Sequence, residues 1–261
     1  MADNNKIYIF NSPSHDEMKH EFFLPSLQDD FEIVEEVHPQ SCNSGEYHSE
    51  GWNEVVLQKV NLIIRAIREN WGSWFVHSDV DVQFFGKMKS LLYDELKNHD
   101  IVFQNDCPYP RPVACAGFFA CRGNDDTLNL WKLVKEMCER RGCDDQESLN
   151  LILHDKLQPG FSTLRWRVLP IQFYSVGAVA SHFLKIVETN SSDNLMSTDI
   201  KFDPSWRWQP NSNKLIESYA HPSMTKLYIP HNIVMHHANY TEGIYNKIKQ
   251  LEHIRKRVLK H

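Results

Sequence analysis

Apolar residues in this chain fall into two alternating rhythms. Short runs rich in β-branched and aromatic residues predict strands at 6–10, 31–37, 100–104, 114–121, 166–173 and 233–237, and a further one starting at Trp74. Between them, apolar positions three and four apart predict helices from about 14 and over 53–70, 86–97, 125–141, 144–154 and 242–260. The clearest is 53–70, where Val56, Val60, Ile63, Ile64 and Ile67 share one stripe. Strand and helix taking turns at this spacing argue for an α/β sheet protein. Two stretches break the rhythm. Residues 40–51 have the Ser, Asn, Gly and His content of a surface loop. Residues 189–214, rich in Ser, Asn, Asp and Pro, form a connection so long that it is either functional or disordered. No internal repeat is visible.

Composition narrows the function classes. At 261 residues the chain can bury a proper core, and 41% hydrophobic with 24% charged residues is ordinary for a soluble globular protein. A formal net charge of -6 argues against a nucleic-acid partner, which requires a positive footprint. No apolar run is long enough to span a bilayer, and the amino terminus lacks a basic-then-apolar leader, so the expected location is cytoplasmic. The six cysteines contain no Cys-x-x-Cys pair, which suits reduced thiols. The sequons at Asn190 and Asn239 matter only for an exported chain.

Chemistry enters where the Trp74 strand ends. Asp79-Val80-Asp81 places two carboxylates at i and i+2, which point the same way in extended chain. Carboxylate oxygens are hard ligands of the kind Mg²⁺ and Mn²⁺ prefer, and α/β sheets bind ligands at the carboxyl ends of their strands. The triplet by itself is weak, since about one Asp-x-Asp is expected by chance in a chain of this size.

Four further landmarks follow in order: Gln104-Asn105-Asp106, Ala116-Gly117-Phe118-Phe119, Asp145-Gln146 with Leu149-Asn150, and His237-Ala238-Asn239 with Gly243 and Lys247. Together with Ser78-Asp79-Val80-Asp81-Val82 they resemble the nucleotide-diphospho-sugar transferase family, glycosyltransferases of the GT-A fold with an Asp-x-Asp motif. The resemblance spans roughly residues 55–250 and implies a Rossmann-like α/β/α sandwich with a mixed, mostly parallel central sheet, as a single domain over 1–261.

It also implies roles. Asp79, Asp81 and His237 would hold a Mn²⁺ or Mg²⁺ ion on the donor's diphosphate, with Asp81 the stronger candidate for direct contact and Asp79 shared between metal and ribose. His236 would face the opposite side of its strand from His237. Asp145, in register with Gln146, would lie by the anomeric carbon: a base if the centre is inverted, a support for the oxocarbenium-like state if it is retained, towards which the resemblance leans. Asn11, Ser12, Lys59, Asn105, Asp106, Gly117, Gly243 and Lys247 would contact the donor, a nucleotide-sugar with UDP the expected carrier. The acceptor would be a glycan or other hydroxyl compound, met on the side of residues 189–230, where Trp206 and Trp208 either stack on its sugar or pin the loop to the core. The basic helix 242–260 docks on the domain or touches an anionic membrane. The same carboxylate pair would also serve a phosphodiesterase or nucleotidyltransferase, or a binding module without turnover.

Overall fold

The computed structural model describes residues 5–40, 51–107, 112–142, 144–154, 163–175, 184–186, 200–202, 229–239 and 243–259. In chain order the elements are β1 (Lys6–Asn11), helical segment α1 (13–26), β2 (Glu32–Val37), α2 (Trp52–Glu69), β3 (Trp74–Ser78), β4 (Val82–Phe84) and α3 (Lys89–Leu96). Then come β5 (Ile101–Cys107), β6 (Val113–Arg122), α4 (Asp125–Arg141), α5 (Asp145–His154), β7 (Trp166–Val168) and β8 (Phe173–Ser175). The last are β9 (Leu184–Ile186), β10 (Ile200–Phe202), β11 (Met235–His237) and α6 (Ile244–Val258).

Six strands form the central sheet in the order β2-β1-β3-β6-β5-β7. Only β6 runs against its neighbours; β1 pairs parallel with β2 and β3, and β5 with β7. Alternation along each strand divides the core in two. Tyr8, Phe10, Phe75, Phe103 and Phe119 pack against the stripes of α2, α4 and α5. Ile7, Ile9, Trp74, Val76, Phe118 and Ala120 pack on the other face with α3 and the small second sheet. The result is the mixed, mostly parallel α/β sandwich expected.

The second sheet positions the site. It has three strands in the order β4-β11-β8, with β11 antiparallel to β4 and parallel to β8. Neither β4 nor the division of 166–173 follows from the hydrophobic pattern. β4 is three residues long, and Pro170 ends β7 by turning the chain, with Phe173 N–H donating to Pro170 O at 3.0 Å. β7 is an edge strand, where a missing proline N–H costs no ladder bond, so it is this turn, just after Leu169 N–H donates to Phe103 O at 2.7 Å, that ends the pairing. Within the stretch read as irregular, β10 pairs antiparallel with β9.

α6 settles the choice left open for the basic helix. Its apolar residues Ile248, Leu251 and Ile254 are buried, Ile248 and Leu251 in one cluster with Met18, Phe22 and Ala238 of the domain. Membrane contact through that stripe therefore has no support, because its apolar face is covered by protein. Among the described residues no helix is long and apolar enough to cross a membrane. Cys115 and Cys121 are buried free thiols, and the buried Cys138 Sγ meets Ser148 Oγ at 3.5 Å.

Candidate active site

β3 ends at Ser78, and the chain turns through Asp79-Val80-Asp81 into β4. The turn is held from both sides: Asp79 N–H donates to Gly117 O at 2.7 Å, and Ala238 N–H to Asp81 O at 2.9 Å. Because β11 lies beside β4 with His237 opposite Val82, the imidazole is brought to the aspartates from far along the chain. Ligand atoms of Asp79, Asp81 and His237 all lie within 4.8 Å of one another, the one such group among the described residues. His237 Nε2 stands 3.1 Å from Asp81 Oδ1. His236 points the other way, as alternation requires, and meets Gln250 of α6 at 3.2 Å.

Two lysines complete the electrostatics. Lys247 sits in the first turn of α6, which opens at Gly243 with a positive φ of 81°, and its Nζ lies 2.6 Å from Asp81 Oδ2. Lys59 reaches from α2 to Asp145 Oδ2 at 2.9 Å and Asp79 Oδ1 at 3.4 Å. Burial opposes the charges of Asp79, Asp81 and Lys59, yet the pairings prevail. Lys59 holds the Asp79 carboxyl down to about 2 against burial. Lys247 and His237 hold Asp81 well below the usual range. Against the same desolvation, Asp145 and Asp79 raise the Lys59 pKa. The carboxylates are ionised, and a hard oxygen pair with one imidazole is a donor set that fits Mn²⁺ or Mg²⁺. A cation entering there would compete with Lys247 for Asp81 Oδ2.

Gly117 lies against this corner. A Cβ added to it would stand 2.5 Å from Asp79 Oδ2 and 2.7 Å from His237 Cε1. Only glycine lets β6 pass so close to the two ligands.

The remaining candidates divide between this corner and its supports. Gln146 accepts Ala116 N–H at 3.2 Å, and Asn150 pairs with Ala114 through both its amide atoms, at 2.9 and 2.8 Å. These clamps dock α5 on β6 and aim Asp145 at Lys59. Asp106 is fully buried and receives a hydrogen bond from Asn239, whose Oδ1 accepts from Ser175 at 2.6 Å. Burial pushes the Asp106 carboxyl up to about 6. Asn105 follows in the irregular stretch of β5, its Oδ1 without a partner among the described residues. Asn11 ends β1 and Ser12 follows it, its Oγ meeting His15 Nδ1 at 3.1 Å. Trp206 and Trp208 lie outside the described residues.

Three residues escaped the motif reading, and a fourth, Gln104, stood in a landmark without a role. His15 feels the field of Lys247, Asp81 and Asp79, and burial is the largest factor lowering its pKa. His77, buried beneath the corner, has Nε2 3.7 Å from Asp79 Oδ1. Cys115 Sγ and Gln104 Oε1 lie 3.7 and 2.8 Å from His237 Nδ1. His77 is one turn of the strand alternation before Asp79, a signal available in sequence; the other contacts are made across strands.

Comparison with known proteins gives the same direction. The family profile described as nucleotide-diphospho-sugar transferase matches residues 30–251. A glycosyltransferase involved in glycosylation of the major capsid of PBCV-1 superposes with a TM-score of 0.51 at 11% identity, covering 96% of this chain and 99% of that one. The apo form of GlyE, a glycosyltransferase of Streptococcus pneumoniae TIGR4, gives 0.52 at 10% identity, over 97% of this chain and 64% of that one. At such identities the likeness concerns fold. No curated protein matches the sequence.

Proposed function

The chain belongs to the nucleotide-diphospho-sugar transferase family and is a glycosyltransferase; from that premise we propose that it is metal-dependent and moves a sugar from a nucleoside diphosphate, with UDP the favoured carrier, to a hydroxyl of a glycan or similar acceptor. The observation that carries the metal dependence is the convergence of Asp79, Asp81 and His237 at the end of β3. Those residues would hold Mn²⁺ or Mg²⁺, which when bound supplies Lewis-acid stabilisation of a diphosphate leaving group.

The protein's own groups do the rest. Lys247, paired with Asp81 in the free protein, is placed to turn its ammonium to the diphosphate. Gly117 opens room for close approach of the sugar. Lys59 fixes the Asp145 carboxylate beside the Asp79 side of the corner. From there Asp145 supports the oxocarbenium-like centre if configuration is retained, the outcome we favour, or takes the acceptor's proton if it is inverted. Gln146 positions Asp145 through its bond to β6. Asn105 and the Asp106–Asn239 pair face the donor sugar, and Asn11 and Ser12 the base and ribose. Residues 189–230, with Trp206 and Trp208, serve the acceptor in a chain read as one domain.

Sugar-nucleotide turnover with and without Mn²⁺ tests this reading. The expected result is release of a nucleoside diphosphate that EDTA abolishes and added Mn²⁺ restores. EDTA-insensitive turnover would remove the metal role. Release of a monophosphate would point to phosphodiester chemistry, and metal-dependent binding without turnover to a binding module.

A further inference from the structure

We propose that Gln104 is a positioning residue of the site: it holds His237 with a proton on Nδ1 and thereby keeps Nε2 as the atom offered to a cation beside Asp81. The inference rests on the metal reading above and adds the residue that makes the imidazole a ready ligand.

Gln104 lies in β5 and is fully buried. Its Nε2 faces two backbone carbonyls, Phe173 O at 3.3 Å and Tyr174 O at 3.0 Å. Carbonyls only accept, so the amide cannot be turned over: the reverse orientation would set Oε1 against two other oxygens. Oε1 is thus directed at His237 Nδ1, 2.8 Å away. An amide oxygen also only accepts, so that nitrogen must carry the hydrogen. The other ring nitrogen, Nε2, then faces Asp81 Oδ1 at 3.1 Å. Two groups able to accept, turned towards each other, call for a cation between or beside them, and in its absence for a proton.

The anchors of Gln104 belong to the strand that carries the histidine's own register. β8 pairs with β11 so that His236 lies opposite Tyr174 and His237 opposite Ser175. The carbonyls that orient the amide and the backbone that carries the imidazole therefore belong to one three-stranded sheet, and the amide cannot turn over without breaking its two bonds to that sheet. An outer-shell partner of this kind fixes a ligand's tautomer and raises its basicity, and losing it commonly weakens metal binding about 10- to 100-fold.

The competing role for Gln104 is purely adhesive, joining β5 to β8 through its two N–H bonds. Two variants separate the roles. Gln104→Met loses both the acceptor and the donors. Gln104→Glu keeps an oxygen for Nδ1–H and loses at least one donor. The full-length protein labelled with ¹⁵N-histidine, studied by ¹H–¹⁵N spectra with and without diamagnetic Mg²⁺, reports which His237 nitrogen is protonated. Electron paramagnetic resonance of free Mn²⁺ reports affinity for the metal alone.

The wild type is expected to keep the Nδ1 proton throughout. Gln104→Met should admit the other tautomer and bind Mn²⁺ about 10- to 100-fold more weakly. Gln104→Glu should retain the Nδ1 proton and bind within about threefold of wild type, even if it melts earlier. The proposal is overturned if wild-type Nδ1 is unprotonated, or if Glu and Met weaken Mn²⁺ binding equally. Should Gln104→Met not fold, the wild-type spectrum and Gln104→Glu decide. A wild type that binds no Mn²⁺ but keeps the Nδ1 proton would sink the metal reading while leaving the hold of Gln104 on the ring intact.

Discussion

At the start of β5, Asp100 is buried about as deeply as Asp81 is after β3, 5% against 3% exposed. Both carboxyls are held below the usual range by cationic partners that outweigh burial. What differs is how each is closed. Asp100 accepts from Arg165 Nε at 3.1 Å, Arg165 Nη2 at 3.0 Å, the Arg165 backbone at 2.9 Å and Asn124 at 3.1 Å. A guanidinium fork and a backbone amide from the same residue occupy both carboxylate oxygens. Asp81 is met by a lysine on a flexible stem and by one edge of an imidazole. Those partners can be exchanged. The comparison teaches that a depressed carboxyl pKa does not by itself mark a working site; a depressed carboxyl whose partners can leave does.

The sharpest way to break the comparison is to remove each acid in turn. Asp81→Asn is expected to lower kcat/KM by about 10³-fold or more, on the order of the loss of a metal's transition-state stabilisation, with unchanged far-ultraviolet circular dichroism. Asp100→Ala is expected to leave kcat/KM of the folded protein within about twofold and to destabilise by about 2 kcal/mol in urea unfolding, moderated because Arg165 is half exposed. If Asp100→Ala silenced turnover and Asp81→Asn did not, the assignment of the two ends would be reversed.

Gly117→Ala comes next in size. The added methyl meets both Asp79 and His237, and a displacement of about 1 Å at reacting groups costs roughly 10²-fold in turnover. A steady-state assay checks it, and wild-type activity would mean that β6 does not constrain the corner.

Lys247→Met sharpens the point about exchangeable partners. Without the ammonium at Asp81, Mn²⁺ alone should bind about tenfold more tightly, one pairing interaction's worth in a partly screened site, while sugar-nucleotide turnover falls. Calorimetric titration with Mn²⁺ gives the sign. Weaker binding would show that Lys247 supports the metal site instead of competing for it.

How far these regions could be read in advance follows from the range of the contacts involved. The helix 53–70 and the strand ending at Asp79 were legible because amphipathic stripes and β-rich runs are local. Asp79, Asp81, Lys59, Asp145, Gly117, His237 and Lys247 were named from ordered landmarks, and the structure brings all seven into one corner. β4 was not legible, since Val82-Gln83-Phe84 is too short to show a period and exists through its pairing with β11. The strand drawn across 166–173 missed the turn from Pro170 to Phe173 that divides it. Gln104 had been part of a landmark without a task, because its meaning depends on two carbonyls 69 and 70 residues away and a histidine 133 residues away. No spacing rule reaches that far.

On the proposed reading, the end of β3 admits a divalent cation and the Asp100 end does not. Anomalous diffraction from crystals soaked with Mn²⁺ and UDP tests it most directly. A manganese peak is expected in contact with Asp79, Asp81 and His237, with Lys247 withdrawn from Asp81 and none at Asp100. A bound nucleotide with no peak at that corner, or a peak elsewhere, would contradict it.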